Sequence, residues 1–476
     1  MLKYTIGAAF VAVFCLSSFL IDRTSVSNPG AANPSGAKTA RENYEQYCSS
    51  CHGEKVEAFV DRKWKHGNEK SDLMKSIAGG YVDLGMPAWK EVLSEQEVND
   101  MADLILVSLK NVDQYKFASK PTSNVFASEG MTVKLDTVAS GLKSPWGLAF
   151  LPDGGMLVTD RSGDLYRVDK SNQKTKLTGG PEALVEGQGG LLDVELHPNF
   201  AKNQLVYLSY SASKMEGDEK LSTTAVMRAK LSGDALTDQK IIFEALPYAK
   251  TRHHYGSRLE FDKQGFLYVS VGDRGSEKEN PQSLDRDAGK IHRLHDDGRI
   301  PADNPFVKDK SAHPSIYSYG HRNPQGMTMN PATGAIWTHE HGPRGGDEVN
   351  IIKKSANYGW PVICYGINYD GKPITNLTAK EGMEQPLTYW LPSIGPSGMA
   401  FIEGSKYPGW KNNLMVGSLR FQYLNRCVMD GNKIVSQENV LKNIGRVRNV
   451  DMGPDGYLYV SVEDPGYVFR LMPVAQ

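Results

Sequence analysis

Six times between residues 131 and 476 the chain passes through a tight turn and into a short β-rich run: 153–160, 203–210, 265–271, 334–339, 413–417 and 456–462. Several copies follow a second apolar run, among them 146–150, 191–196 and 326–329. A short strand buries its faces only by packing against neighbours, and a recurring strand unit is buried most completely when the units close into a ring. The count predicts a six-bladed β-propeller, and the irregular spacing predicts long insertions between some blades. With 47 glycines to punctuate the turns and few long amphipathic patterns after about residue 110, the chain reads as mostly β, preceded by a small all-α part. A net charge of −1 gives no basis for a nucleic-acid surface.

The helical part, 39–118, carries Cys48-Ser-Ser-Cys51-His52, the pattern by which two thioethers fix a haem and the adjacent histidine ligates its iron. A redox CxxC or half of a zinc site are the rival readings. Residues 41–48 read as a short helix delivering the motif. Met86, in Gly85-Met86-Pro87, offers a soft thioether for the opposite face of the iron, with Met74 as the competing sulfur inside a helical pattern. Ser94 and Glu97 form a capping box that starts a helix running to about Leu109, with Val98, Met101, Leu104 and Ile105 on one face. The whole segment resembles a small class I cytochrome c, which implies haem c held by Cys48 and Cys51 and ligated by His52 and Met86.

Ahead of it, residues 1–24 begin with Lys3 and an uncharged apolar run to Leu20, an export signal or an N-terminal membrane anchor; 25–38 is a polar linker. Residues 119–130 read as a second linker, and 131–476 as the propeller. Cys364 and Cys427 could pair or stay free.

Propeller loops converge at one end of the central channel, so residues distant in sequence can meet there. Residues 320–348 are rich in polar side chains set among glycine and proline, which by itself is as readily a solvated loop. Other loops add Gln188, the Arg252-to-Arg258 stretch with His254, Trp390, Ser393, Arg420, and Arg446-Val-Arg448. Four arginines (Arg322, Arg420, Arg446, Arg448) and one imidazole suit a small polyanion beside a base.

Taken together, Gln188-Gly-Gly-Leu-Leu, His254 four before Arg258, Gly320-His-Arg-Asn-Pro-Gln-Gly326, Gly342-Pro343, Asp347-Glu348, Asn357-Tyr-Gly-Trp-Pro361 and Arg446-Val-Arg448 resemble the soluble glucose/sorbosone dehydrogenases that use pyrroloquinoline quinone (PQQ). The resemblance spans nearly all of 131–476. It implies His254 as the base that takes a sugar hydroxyl proton. Gln188, Arg322, Asn323, Arg420, Arg446 and Arg448 would surround PQQ, with Arg322 also in a catalytic role. Gly342 and Pro343 would offer carbonyls to Ca2+, and Glu348 and Tyr358 match a second calcium position. Arg420 stands where glucose-oxidising members carry lysine, and His253 and His341 replace an acid and an amide; the broader aldose dehydrogenase branch is nearer. The implied partners are an aldose and a downstream acceptor such as a soluble cytochrome or a terminal oxidase, in the periplasm. A non-catalytic propeller and a calcium-dependent lactonase are the alternatives.

Overall fold

The computed structural model describes residues 38–52, 66–110, 123–275, 278–369, 372–463 and 465–474. The leader, and the side chain of Cys51, lie outside the described residues.

The first helices form because their ends are capped. Thr39 and Glu42 exchange hydrogen bonds in a capping box, and the helix they start passes through one wide turn (Tyr44–Cys48) into Ser49–His52. Ser94 and Glu97 form the expected second box, opening the helix Glu95–Lys110. That helix buries Val98, Met101 and Ile105 against Leu73 and Ile77 of Lys70–Gly79, with Tyr44, Trp89 and Leu93 completing the core. Leu104 and Met74 pack half-buried at its edge, so the Met74 sulfur serves this packing.

Six antiparallel sheets follow, one per expected blade. Each recurring turn-and-run becomes the second strand of a blade, and each preceding apolar run its innermost strand. The inner strands are Pro145–Phe150, Leu191–Leu196, Leu259–Phe261, Pro324–Met329, Pro396–Phe401 and Val447–Met452. Because each sheet is sandwiched between two others, its strands are apolar on both faces. A separate apolar core therefore fills each gap between neighbouring blades. The sixth blade closes the ring. Its strand Tyr467–Pro473 pairs with Met131–Ala139, in register Leu135 opposite Leu471, and Val125–Ser128 adds a further strand within the 119–130 stretch read as linker.

One irregularity recurs where it matters. Five inner strands carry a β-bulge near their site-facing end, between Pro145 and Leu148, Leu191 and Val194, Pro324 and Gly326, Ser397 and Met399, and Val447 and Asn449. The extra residue of a bulge falls out of the alternating pleat and can be aimed elsewhere. Trp146, Asp193, Gln325 and Arg448 are such residues. They knit into one belt: Arg258 donates to Asp193 (2.9 Å) and to the Gln325 carbonyl (3.0 Å), and Arg448 donates to the Gln325 side chain (2.8 Å). The Arg258 guanidinium also lies 4.2 Å from the Trp146 ring centre.

Candidate active site

His254 sits on the loop leading into the third blade, at φ 52°. A left-handed backbone is uncommon for a residue with a side chain, and it persists only where surroundings hold it. Gln188 does so from the neighbouring loop, its side-chain oxygen accepting the His254 amide at 2.8 Å. The imidazole Nδ1 lies 2.7 Å from an Asp273 carboxylate oxygen, and the other oxygen takes the Trp360 indole N–H at 2.8 Å. Burial, then the Arg322 charge, depresses the His254 pKa below its ordinary value, while Asp273 pulls the other way. Burial would raise the Asp273 carboxyl, yet His254 and Arg322 hold it below the usual range. The outcome is a neutral imidazole with one nitrogen tied down and the other available.

The cavity before this ring has a volume of about 540 Å³. It gathers Gln188, His254, Arg322, Arg420 and the Arg446/Arg448 pair from separate parts of the ring. Arg161 and Lys143 add two cations that the sequence reading did not name. Glu463 answers part of this charge, at 2.8 Å from Arg448 Nε and 3.1 Å from Arg446 Nε. Burial opposes its ionisation, but Arg448, Arg446 and Arg161 hold its carboxyl far below the ordinary range. The other lining carboxylate, Asp347, is pushed up to about 6 by burial. The cavity is thus cationic at neutral pH.

A buried donor with no acceptor costs roughly 1–3 kcal/mol, so orphaned donors mark where a ligand belongs. Arg322 Nε and Asn323 Nδ2 are both buried without a hydrogen-bond partner. Asn323 itself stands one layer behind, its oxygen accepting the Gly256 amide at 3.0 Å. Arg322 lines the cavity, so an oxygen-rich planar anion there suits its free donor, and the tricarboxylate quinone PQQ is one.

Residues 142–470 match the family model described as Glucose / Sorbosone dehydrogenase. The chain belongs to the glucose/sorbosone dehydrogenase family. It is 43% identical over 350 residues to the aldose sugar dehydrogenase YliI of Escherichia coli K12, covering 72% of this chain and 93% of that one. The soluble aldose sugar dehydrogenase of Escherichia coli, solved in its apo form, superposes with a TM-score of 0.69 at 41% identity, over 72% of this chain and all of the other. The PQQ-bound aldose sugar dehydrogenase of Streptomyces coelicolor gives a TM-score of 0.59 at 29% identity, over 72% and 98%. A second family model, described as cytochrome c oxidase, cbb3-type, subunit III, matches residues 35–105, and this N-terminal part is a cytochrome c domain.

The cytochrome domain faces the family's site. Tyr47, Cys48, His52 and Met86 line the same cavity as His254 and Arg322. A thiol, an imidazole and a thioether set around one void are the donors a c-type haem takes, so these residues fit it.

For calcium, the structure brings the two expected positions to one place. Gly342, Pro343, Glu348 and Tyr358 line a single small cavity of about 10 Å³, room for one ion or water. Glu340 lies there too, and burial followed by the Glu340 charge lifts Glu348 to about 8. Paired buried carboxylates with turn carbonyls are an oxygen set that fits a hard cation. No cluster of three or more His, Cys, Asp or Glu is present among the described residues, so carbonyls would have to complete the shell. The Gly342 carbonyl already accepts from Arg322 at 2.7 Å. The Tyr358 hydroxyl donates to the Ile351 carbonyl at 2.6 Å.

Three sequence expectations need correcting or filling in. Trp390 is no loop residue of the site: it is buried in the core between the fourth and fifth blades, its N–H donating to Gln437. Cys364 and Cys427 are both free, in separate surroundings. Asp273 and Glu463 were not foreseen, and Trp360 entered only within the Asn357-to-Pro361 motif, without a role of its own. The only signal for Asp273 was its place in Gly272-Asp-Arg-Gly275, a turn at the end of a recurring strand.

Proposed function

We propose that the protein oxidises aldoses at C1 to lactones, with His254 as the base. The chain is a sugar dehydrogenase of the PQQ-dependent type, and PQQ, when bound, supplies a quinone that accepts hydride. What supports the roles is the His254–Asp273–Gln188 arrangement at the edge of a cationic cavity. His254, neutral and fixed, takes the C1 hydroxyl proton. Arg322 stands beside it to stabilise negative charge as it develops. Gln188, Arg420, Arg446 and Arg448 hold the cofactor carboxylates, Arg322 also contributes there, and Asn323, expected beside them, acts from behind the cavity wall by fixing the Gly256 amide. Gly342, Pro343 and Glu348, with Tyr358 as a wall of the same cavity, would seat Ca2+.

Each aldose gives up two electrons and two protons. We further propose that Cys48 and Cys51 would hold haem c with His52 and Met86 as its iron ligands, and that the group, when bound, would supply one-electron chemistry toward a soluble cytochrome or terminal oxidase. The shared cavity supports this route. The leader supports export to the periplasm, by a cleaved signal or a tether; no helix among the described residues is long and apolar enough to cross a membrane. The test is dye-linked oxidation of an aldose panel by the purified protein with and without added PQQ and Ca2+. Equal dye reduction with neither added to the apoprotein would remove the cofactor roles.

A further inference from the structure

The Met86 turn touches the sugar site through a short chain of backbone hydrogen bonds. The Arg252 amide donates to the Asp83 carbonyl of the cytochrome domain. The Arg252 carbonyl accepts the Gln188 amide at 2.7 Å, and the Gln188 side chain accepts the His254 amide. One residue, Arg252, therefore joins the haem-side turn to the loop carrying the base. Met86 is fixed to the same turn, its amide and carbonyl pairing with Tyr81 at 3.0 and 2.8 Å. Between them, Gly85 at φ 88° lies bare against His253: a Cβ there would stand 3.3 Å from the His253 Cβ. The buried His253 ring in turn meets the His254 ring edge-on, centres 4.7 Å apart. Farther out, the Arg344 guanidinium lies 5.7 Å from the Tyr47 ring centre, and Tyr369 packs on the helical core.

We propose that the 83–85 turn, seated on Arg252 and His253, is the docking contact that sets the rate at which electrons pass from the sugar site to the haem. This rests on the intramolecular route proposed above. The balance is fixed by the substrate: C1–H and O–H bonds break, C1=O forms, and two electrons and two protons are released. Two successive ferric-to-ferrous reductions take the electrons, each relayed to an external one-electron acceptor, and the protons go to water. Transfer through protein falls steeply with separation, so holding the turn at its tip holds the gap that Met86 presents to the cavity. Gly85 is needed because a side chain would lift the turn off His253 and would strain the left-handed backbone.

The test uses the full chain loaded with haem, PQQ and Ca2+. Three quantities are read for wild type, Gly85→Ala and the double variant Arg344→Ala/Tyr369→Ala: hydrogen exchange of the Arg252 amide, haem reduction after mixing with sugar, and turnover with a small dye that takes electrons without the haem. We expect Arg252 to be protected in wild type and to exchange faster in both variants. Haem reduction should slow at least tenfold in Gly85→Ala while dye turnover stays within twofold. The double variant loosens the same interface without altering the Met86 turn, so slower haem reduction there cannot be blamed on lost ligation. Wild-type haem reduction in both variants, or an unprotected Arg252 amide in wild type, overturns the docking contact alone. A wild-type haem that sugar leaves oxidised while dye turnover proceeds sinks the intramolecular route itself.

Discussion

His254 can act as a base only while its ring is uncharged. Its pKa lies below the ordinary 6.5, so the neutral form is lost only as pH falls through that depressed value. The acid limb of kcat/KM in a dye-linked assay should therefore lie below pH 6.5. Asp273 raises the His254 pKa and Arg322 lowers it, so Asp273→Asn should move the limb further down and Arg322→Gln should move it up. His254→Gln should cost turnover about 10²- to 10⁴-fold, the range for losing a positioned base, while PQQ titrates in as before. Glu463 carries a different burden, since it neutralises the buried Arg448 and the half-buried Arg446. Its depressed pKa contributes stability that is present above the ordinary glutamate value of 4.5 and fades as pH drops below it. Glu463→Gln should cost on the order of 3 kcal/mol in a urea melt at pH 7, with the gap to wild type closing in acid.

Along the strands, periodicity and turn chemistry carried most of the information. The six second strands, the Ser94 capping box and the attachment motif could all be read because each is local. The bulges could not. An extra residue breaks the two-residue repeat, so Trp146, Asp193 and Gln325 look like ordinary strand residues, although Asp193 and Gln325 hold Arg258 and Trp146 stacks on it. Asp273 was hidden for another reason: its pairing with His254 depends on where two loops of one blade lie in space. Trp390 erred the other way, since a polar neighbourhood in sequence concealed a strand position packed between blades. Ring closure can be tested at this scale. Val133 lies in a strand paired on both sides, opposite Phe126 and Pro473. Val133→Pro should remove a ladder hydrogen bond and cost about 3 kcal/mol, read as a lower midpoint of thermal unfolding.

Across the whole molecule, the propeller and the cytochrome domain line one cavity, and the channel mouth doubles as the seat of the cytochrome domain. If Glu340 and Glu348 with the Gly342 and Pro343 carbonyls seat calcium, a chelator should release PQQ and abolish dye-linked activity. Calcium should restore both and magnesium should not, because magnesium demands a tighter, near-octahedral shell than two carboxylates and rigid turns provide. Activity that survives exhaustive chelation would remove the metal from the site.

The ring is latched by an early strand, Met131–Ala139, laid against the last one, Tyr467–Pro473. During synthesis that early strand has only its hairpin partner Val125–Ser128, and its other edge stays open until the far end of the chain has been made. Cys48 and Cys51, which on the proposed function would receive the haem, emerge long before, while the disc is still open. A chain stalled short of Tyr467 would complete the helical part and leave the propeller unlatched.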